Sequence, residues 1–104
     1  MGEDKPQKDI GILERPEQRV KEPEQFRVML HNDDYTTMDF VMEVLEEIFQ
    51  KSPAESYRIM MKVHLEGHGV AGVYPHEVAE TKVDTVLERA RQHGFPLQAS
   101  LEPE

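Results

Sequence analysis

Two short segments hold most of the side chains able to do chemistry. The first, HNDDYTTMDF at residues 31–40, sets His31, Asn32, Asp33 and Asp34 side by side, just ahead of an apolar run. The second, VHLEGH at residues 63–68, carries His64 and His68. Carboxylates, an amide and imidazoles in such groups can ligate a metal, transfer protons, cap a helix or accept hydrogen bonds from a small cation.

The metal readings fail on spacing. A helical zinc motif needs Glu directly after its first His, and Leu65 stands there. Gly67 lies between His64 and His68 and is expected to end the helix before the second His. His-Leu-Glu also echoes the zinc deaminases, but the required Cys pair is missing. A calcium loop counted from Asn32 reaches Glu43 at its last position, yet has Thr37 where the turn requires Gly. Catalysis has little more support. His31, Asp33, Asp34 and His64 form a conceivable acid–base set, but there is no Ser on a nucleophile elbow and no Gly-rich phosphate loop. No metal, no cofactor and no enzymatic activity are expected.

The whole chain narrows the choice. Its 104 residues suffice for one domain with one modest core. Lys and Arg total 12 against 21 Asp and Glu, a net charge of −9. That balance argues against nucleic acid and against an anionic membrane surface. It suits a basic protein surface or a cationic ligand. There is no cysteine, so disulfides and thiolate chemistry are excluded, in keeping with the cytoplasm. No apolar run approaches the roughly 18 residues of a membrane span.

The elements that must position these residues follow from periodicity. Residues 1–25 carry three Pro, mixed charge and one small apolar cluster, Ile10, Ile12 and Leu13, and are expected to form a flexible extension. A core domain is expected over 26–104. FRVML, from Phe26, suits a strand. Thr36 and Asp39 read as a helix cap, followed by Met38, Val41, Met42, Leu45, Ile48 and Phe49 at helical spacing. Ser52 and Glu55 form a second capping box with Pro53 at the first helical position. Ile59, Met60, Val63 and His64 share one face of that helix, which Gly67 and Gly69 end. VAGVY reads as a strand. Pro75 opens a third helix, with Val78, Ala79, Val83, Val86, Leu87 and Ala90 facing inward until Gly94 and Pro96 stop it. LQASL, residues 97–101, alternates as a last strand. The order β-α-α-β-α-β predicts an α+β fold: a small three-stranded antiparallel sheet with three helices on one face.

Singly, each polar residue of the first segment has an ordinary explanation, since Asn and Asp favour turns and helix starts. Jointly they suggest a site. If the first two helices pack as a hairpin, Met38 and Val41 meet Met60, Val63 and His64 beside the Asn32–Asp34 loop. The product is an apolar pocket, adaptable through its methionines, whose mouth offers amide, carboxylate and imidazole acceptors to an ammonium group.

NDDYTTMDFV, the following VH and GVYPHEVAETKV together resemble the ClpS adaptors of the Clp protease. The resemblance spans about residues 26–102 and is carried by long, ordered, correctly spaced motifs. It implies an adaptor that binds substrates beginning with Leu, Phe, Tyr or Trp. It also implies that the adaptor delivers these N-degrons to a ClpA- or ClpC-type AAA+ unfoldase feeding ClpP. It further implies that Asn32, Asp33 and His64 contact the substrate α-amino group, while Asp34 and Thr36 shape the loop and hold the first backbone groups. Met38, Val41, Met60, Val63 and Leu97 would line the side-chain pocket, with Met38 as a gate against β-branched residues. Glu77, Glu80, Thr81 and Lys82 match the unfoldase-docking surface, and the extension would promote delivery. One departure is visible: Thr37 stands where many members have Pro. The competing expectation is an acidic interaction domain that regulates the unfoldase without reading N-termini.

Overall fold

The computed structural model describes residues 23–104. The proposed extension therefore lies almost entirely outside the described residues. In chain order the elements are β1 (Gln25–His31), α1 (Met38–Glu47), α2 (Pro53–Glu66), β2 (His68–Pro75), α3 (His76–Gln92) and β3 (Gln98–Pro103). The expected α+β order is the one observed.

The strands form one antiparallel sheet in the order β2-β1-β3. β1 is central because both of its edges are paired, one with β2 and one with β3. Val28 and Leu30 are fully buried under the helices, while Arg27 and His31 remain partly exposed. The register passes from Val28 opposite Gly72 to Met29 opposite Val70, leaving Ala71 as an extra residue in β2. Such a bulge sharpens the local twist of the strand. α3 packs across all three strands, and Ala79, Val86 and Ala90 are its buried residues. Two of these are alanines, whose short side chains let the helix approach the sheet closely. Val78, expected to face inward, is 44% exposed. It sits in the first turn of the helix, beside the exposed Glu77 and Thr81.

α1 and α2 form the expected hairpin and pack on each other. Ser52 caps α2, its hydroxyl accepting from the Glu55 N–H at 3.2 Å, with Pro53 at the helix start. Gly67 ends the helix in the left-handed conformation, φ 96°, which a side chain would strain. Gly69 follows for another reason. A Cβ there would come within 3.0 Å of Val63 Cγ2, so its absence lets β2 pass close against α2.

The start of α1 corrects the sequence expectation. Its cap is Thr37 and not Thr36, and the Thr37 hydroxyl accepts from the Phe40 N–H at 3.1 Å. Thr36 is engaged elsewhere, as described below. The helix also stops at Glu47, ahead of Ile48 and Phe49, which are still buried in the core. Lys82 of α3 closes this end, its ammonium donating to the Ile48 carbonyl at 2.5 Å. A cation at a helix C-terminus complements the unpaired carbonyls there.

Candidate functional site

A cavity of about 430 Å³ opens between the β1–α1 loop and the α1–α2 hairpin. The loop supplies Asn32 through Thr37, α1 supplies Met38 and Val41, and α2 supplies Met60, Val63 and His64. The wall is apolar and nearly closed: Val41, Met60 and Val63 are 6%, 4% and 2% exposed. Met38 is 45% exposed and stands at the entrance. A long unbranched side chain in that position can turn without disturbing the core.

The loop is held at both ends. The Asn32 N–H donates to the Gly67 carbonyl at 2.9 Å, which fixes the mouth against the end of α2 beside His64. Within the loop, Asp33 is the organiser. One carboxylate oxygen accepts from the Tyr35 N–H at 2.8 Å and the Thr36 N–H at 2.7 Å. The other accepts from the Thr36 hydroxyl at 2.7 Å. This bond draws Thr36 into the loop and leaves the helix cap to Thr37. The loop-shaping role expected of Asp34 and Thr36 thus rests on Asp33 and Thr36. Asp34 is exposed at the cavity edge.

Electrostatically the mouth is negative. Partial burial opposes ionisation of Asp33, but the Thr36 hydroxyl and the Thr36 and Tyr35 N–H groups outweigh it and lower its pKa. Among the described residues, neither Asp33 nor Asp34 has a basic partner. A carboxylate has about four acceptor sites, so Asp33 can hold the loop and still accept from a ligand. Because its pKa is depressed, the stabilisation it gives is fully present above the ordinary value of 3.8 and fades only as pH falls through the lower one. An NMR titration is expected to place the Asp33 midpoint below 3.8. Thr36→Val, which removes one of the three donors, should move it upward. A midpoint unchanged by Thr36→Val would mean that the hydroxyl bond contributes nothing.

Most residues expected at the site are therefore brought together. Leu97 is not among the cavity's lining residues. It is 2% exposed and floors a neighbouring groove that shares Tyr35 with the cavity. Tyr35 and Thr37 line the cavity without having been expected there. The clue to Tyr35 is an aromatic residue inside a polar loop, where no core claims it. On α3, Glu77, Glu80 and Thr81 are exposed along one side. Lys82 is only half-exposed, since its ammonium is bonded to Ile48 and lies 5.5 Å from the Tyr74 ring centre and 5.9 Å from that of Phe49. Its first task is to finish α1.

Fold and cavity together define a small α+β binding domain. Comparison with known proteins makes this specific. The family profile described as ATP-dependent Clp protease adaptor protein ClpS matches residues 21–100. A ClpS adapter from Desulfatibacillum aliphaticivorans is 55% identical over 100 residues, covering 95% of this chain and 96% of that protein. One from Nitratidesulfovibrio vulgaris is 57% identical over 86 residues, covering 83% and 86%. Among solved structures, Agrobacterium tumefaciens ClpS2 bound to L-phenylalaninamide superimposes with a TM-score of 0.76 at 40% identity, covering 80% of this chain and 100% of that one. The chain belongs to the ClpS family: it is an adaptor of the ATP-dependent Clp protease and not an enzyme.

Proposed function

We propose that this adaptor captures proteins whose first residue is Leu, Phe, Tyr or Trp and delivers them to a ClpA- or ClpC-type unfoldase in the cytoplasm. The observation that carries the reading is the pairing of a nearly closed apolar wall with a mouth whose carboxylates have no basic partner among the described residues. A free N-terminus presents both complements at one point: an ammonium group and, one carbon away, a side chain. The solved relative bound to L-phenylalaninamide, a molecule with both features, supports it.

In this reading Asn32, Asp33 and His64 accept from the α-ammonium, and Asp34 and Thr36 lie along the first peptide group. Met38, Val41, Met60 and Val63 enclose the side chain, with Leu97 behind them. Burial of a Leu or Phe side chain contributes roughly 1.5–3 kcal/mol. Each hydrogen bond to the charged amine adds about 1.5–3 kcal/mol. After the cost of fixing one peptide end, a Kd of about 0.1–10 μM follows, weak enough for a substrate to be passed on. Glu77, Glu80 and Thr81 offer the acidic and polar face for the unfoldase, with Lys82 at its edge. Calorimetric titration with L-phenylalaninamide tests the capture step. Saturable binding supports it, and heats indistinguishable from dilution would return the loop to a helix-start ornament.

The gate has its own consequence. A branch at Cβ widens a side chain where it enters, opposite Met38. Met38→Ala should admit peptides beginning with Val or Ile, tightening their binding by about tenfold while changing that of Leu peptides little, in line with the worth of a methylene or two. Unaltered selectivity in competition anisotropy would remove Met38 from the gate.

A further inference from the structure

The groove beside the cavity has no assigned role. It measures about 740 Å³ and runs between the end of α3 and the segment leading into β3. Leu87, Phe95 and Leu97 give it an apolar floor. That floor is preformed. Phe95 packs on Phe40 with ring centres 4.9 Å apart, and its N–H donates to the Ala90 carbonyl at 2.9 Å. Two polar side chains on the rim already have partners within the chain. Arg91 is paired with Glu88, and the Gln98 amide donates to the Pro96 carbonyl at 3.4 Å. The apolar floor, with these rim groups engaged, favours an apolar occupant.

Tyr35 identifies whose side chain that is. It is 76% exposed and forms a wall of both the cavity and the groove, so the two lie one side chain apart. A substrate held by its amine at Asn32 and His64, with its first peptide group along Asp34 and Thr36, leaves the cavity past Tyr35. In an extended chain, successive side chains point to opposite faces. The second side chain then faces solvent, and the third returns to the protein about 7 Å beyond the first. We infer that the groove is a subsite for an apolar third residue of the substrate, so that the adaptor reads position three as well as position one. This inference rests on the proposed capture of N-termini.

The test uses the full chain and fluorescent peptides that begin with Phe. Peptides with Leu at the third position are expected to bind roughly five to ten times more tightly than those with Gly there. The same exchange at the second position should change affinity by less than twofold. Pro96→Asp, at the exposed lip, and Leu87→Ser, in the floor, should each erase the third-position preference while leaving the affinity for L-phenylalaninamide unchanged. Equal binding of the Leu and Gly peptides would overturn the inference, as would a preference at position two or one that survives both variants. The wild-type comparison decides the matter even if Leu87→Ser fails to fold. Failure of L-phenylalaninamide itself to bind would instead sink the capture of N-termini on which the inference stands.

Discussion

A peptide beginning with Phe is expected to bind at least a hundredfold more tightly than the same peptide with its N-terminus acetylated. Both place the same ring in the same apolar cavity, so the hydrophobic contribution cancels. What differs is the mouth. Acetylation removes the positive charge and leaves one N–H where the ammonium offers three. Two charge-assisted hydrogen bonds at about 1.5–3 kcal/mol each are then lost. About 2.8 kcal/mol already corresponds to a hundredfold. The loss is sharpened because Asp33 and Asp34 have no basic partner of their own among the described residues. With a neutral end group the negative mouth has nothing to balance it, whereas the ammonium supplies the opposite charge. Anisotropy with the two labelled peptides decides the matter. Equal affinities would make the cavity an apolar slot blind to the amine. Binding of neither would favour an acidic domain that regulates the unfoldase alone.

The parts of this fold that could be read from sequence are those fixed by neighbours in the chain. Ser52, Pro53 and Glu55 announce the start of α2, and Gly67 its end, because capping is settled within a few residues. The hairpin of α1 and α2 follows from two apolar stripes close together in the chain, and it delivers Met38, Val41, Met60, Val63 and His64 to one cavity. Failures occur where a more distant group competes. Thr36 has the spacing of a cap, but the carboxylate of Asp33 takes its hydroxyl, and Thr37 caps instead. Pure periodicity cannot rank two adjacent threonines when a third residue decides between them. Lys82 looks like one more surface charge on α3, yet it reaches across to the end of α1, thirty-four positions away. Val78 fits the apolar count of α3 but lies beside Glu77 and Thr81 on the exposed side. Only the family resemblance points to Leu97, and the open space that it lines is the groove beyond Tyr35.

On the proposed reading Asp33 both holds the loop and receives the amine, and the second large effect follows from this. Asp33→Ala should weaken binding of a Phe-initiated peptide by about a hundredfold or more, whereas His64→Ala should cost about tenfold. His64 is exposed and can contribute one acceptor to the amine. Its loss leaves the loop intact. Asp33 accepts three bonds that hold Tyr35 and Thr36 in place, and its carboxylate is the more enclosed of the two in the mouth. Removing it would take away the proposed charge-assisted contact and also release the groups that shape the entrance, so the remaining acceptors would no longer be pre-arranged. The core does not depend on it. Val28, Leu30, Val44 and Leu45 are fully buried elsewhere, and melting should move only slightly. Asp33→Asn separates the two duties. Its amide oxygen can still accept from the Tyr35 and Thr36 N–H groups, so the loop keeps much of its form, but the charge is gone. Its affinity should fall between those of the wild type and Asp33→Ala, and amide exchange at Tyr35 and Thr36 should quicken in the Ala variant alone. If Asp33→Ala bound within threefold of wild type, the carboxylate would be a turn former only. The amine would then be held by Asn32 and His64 without it.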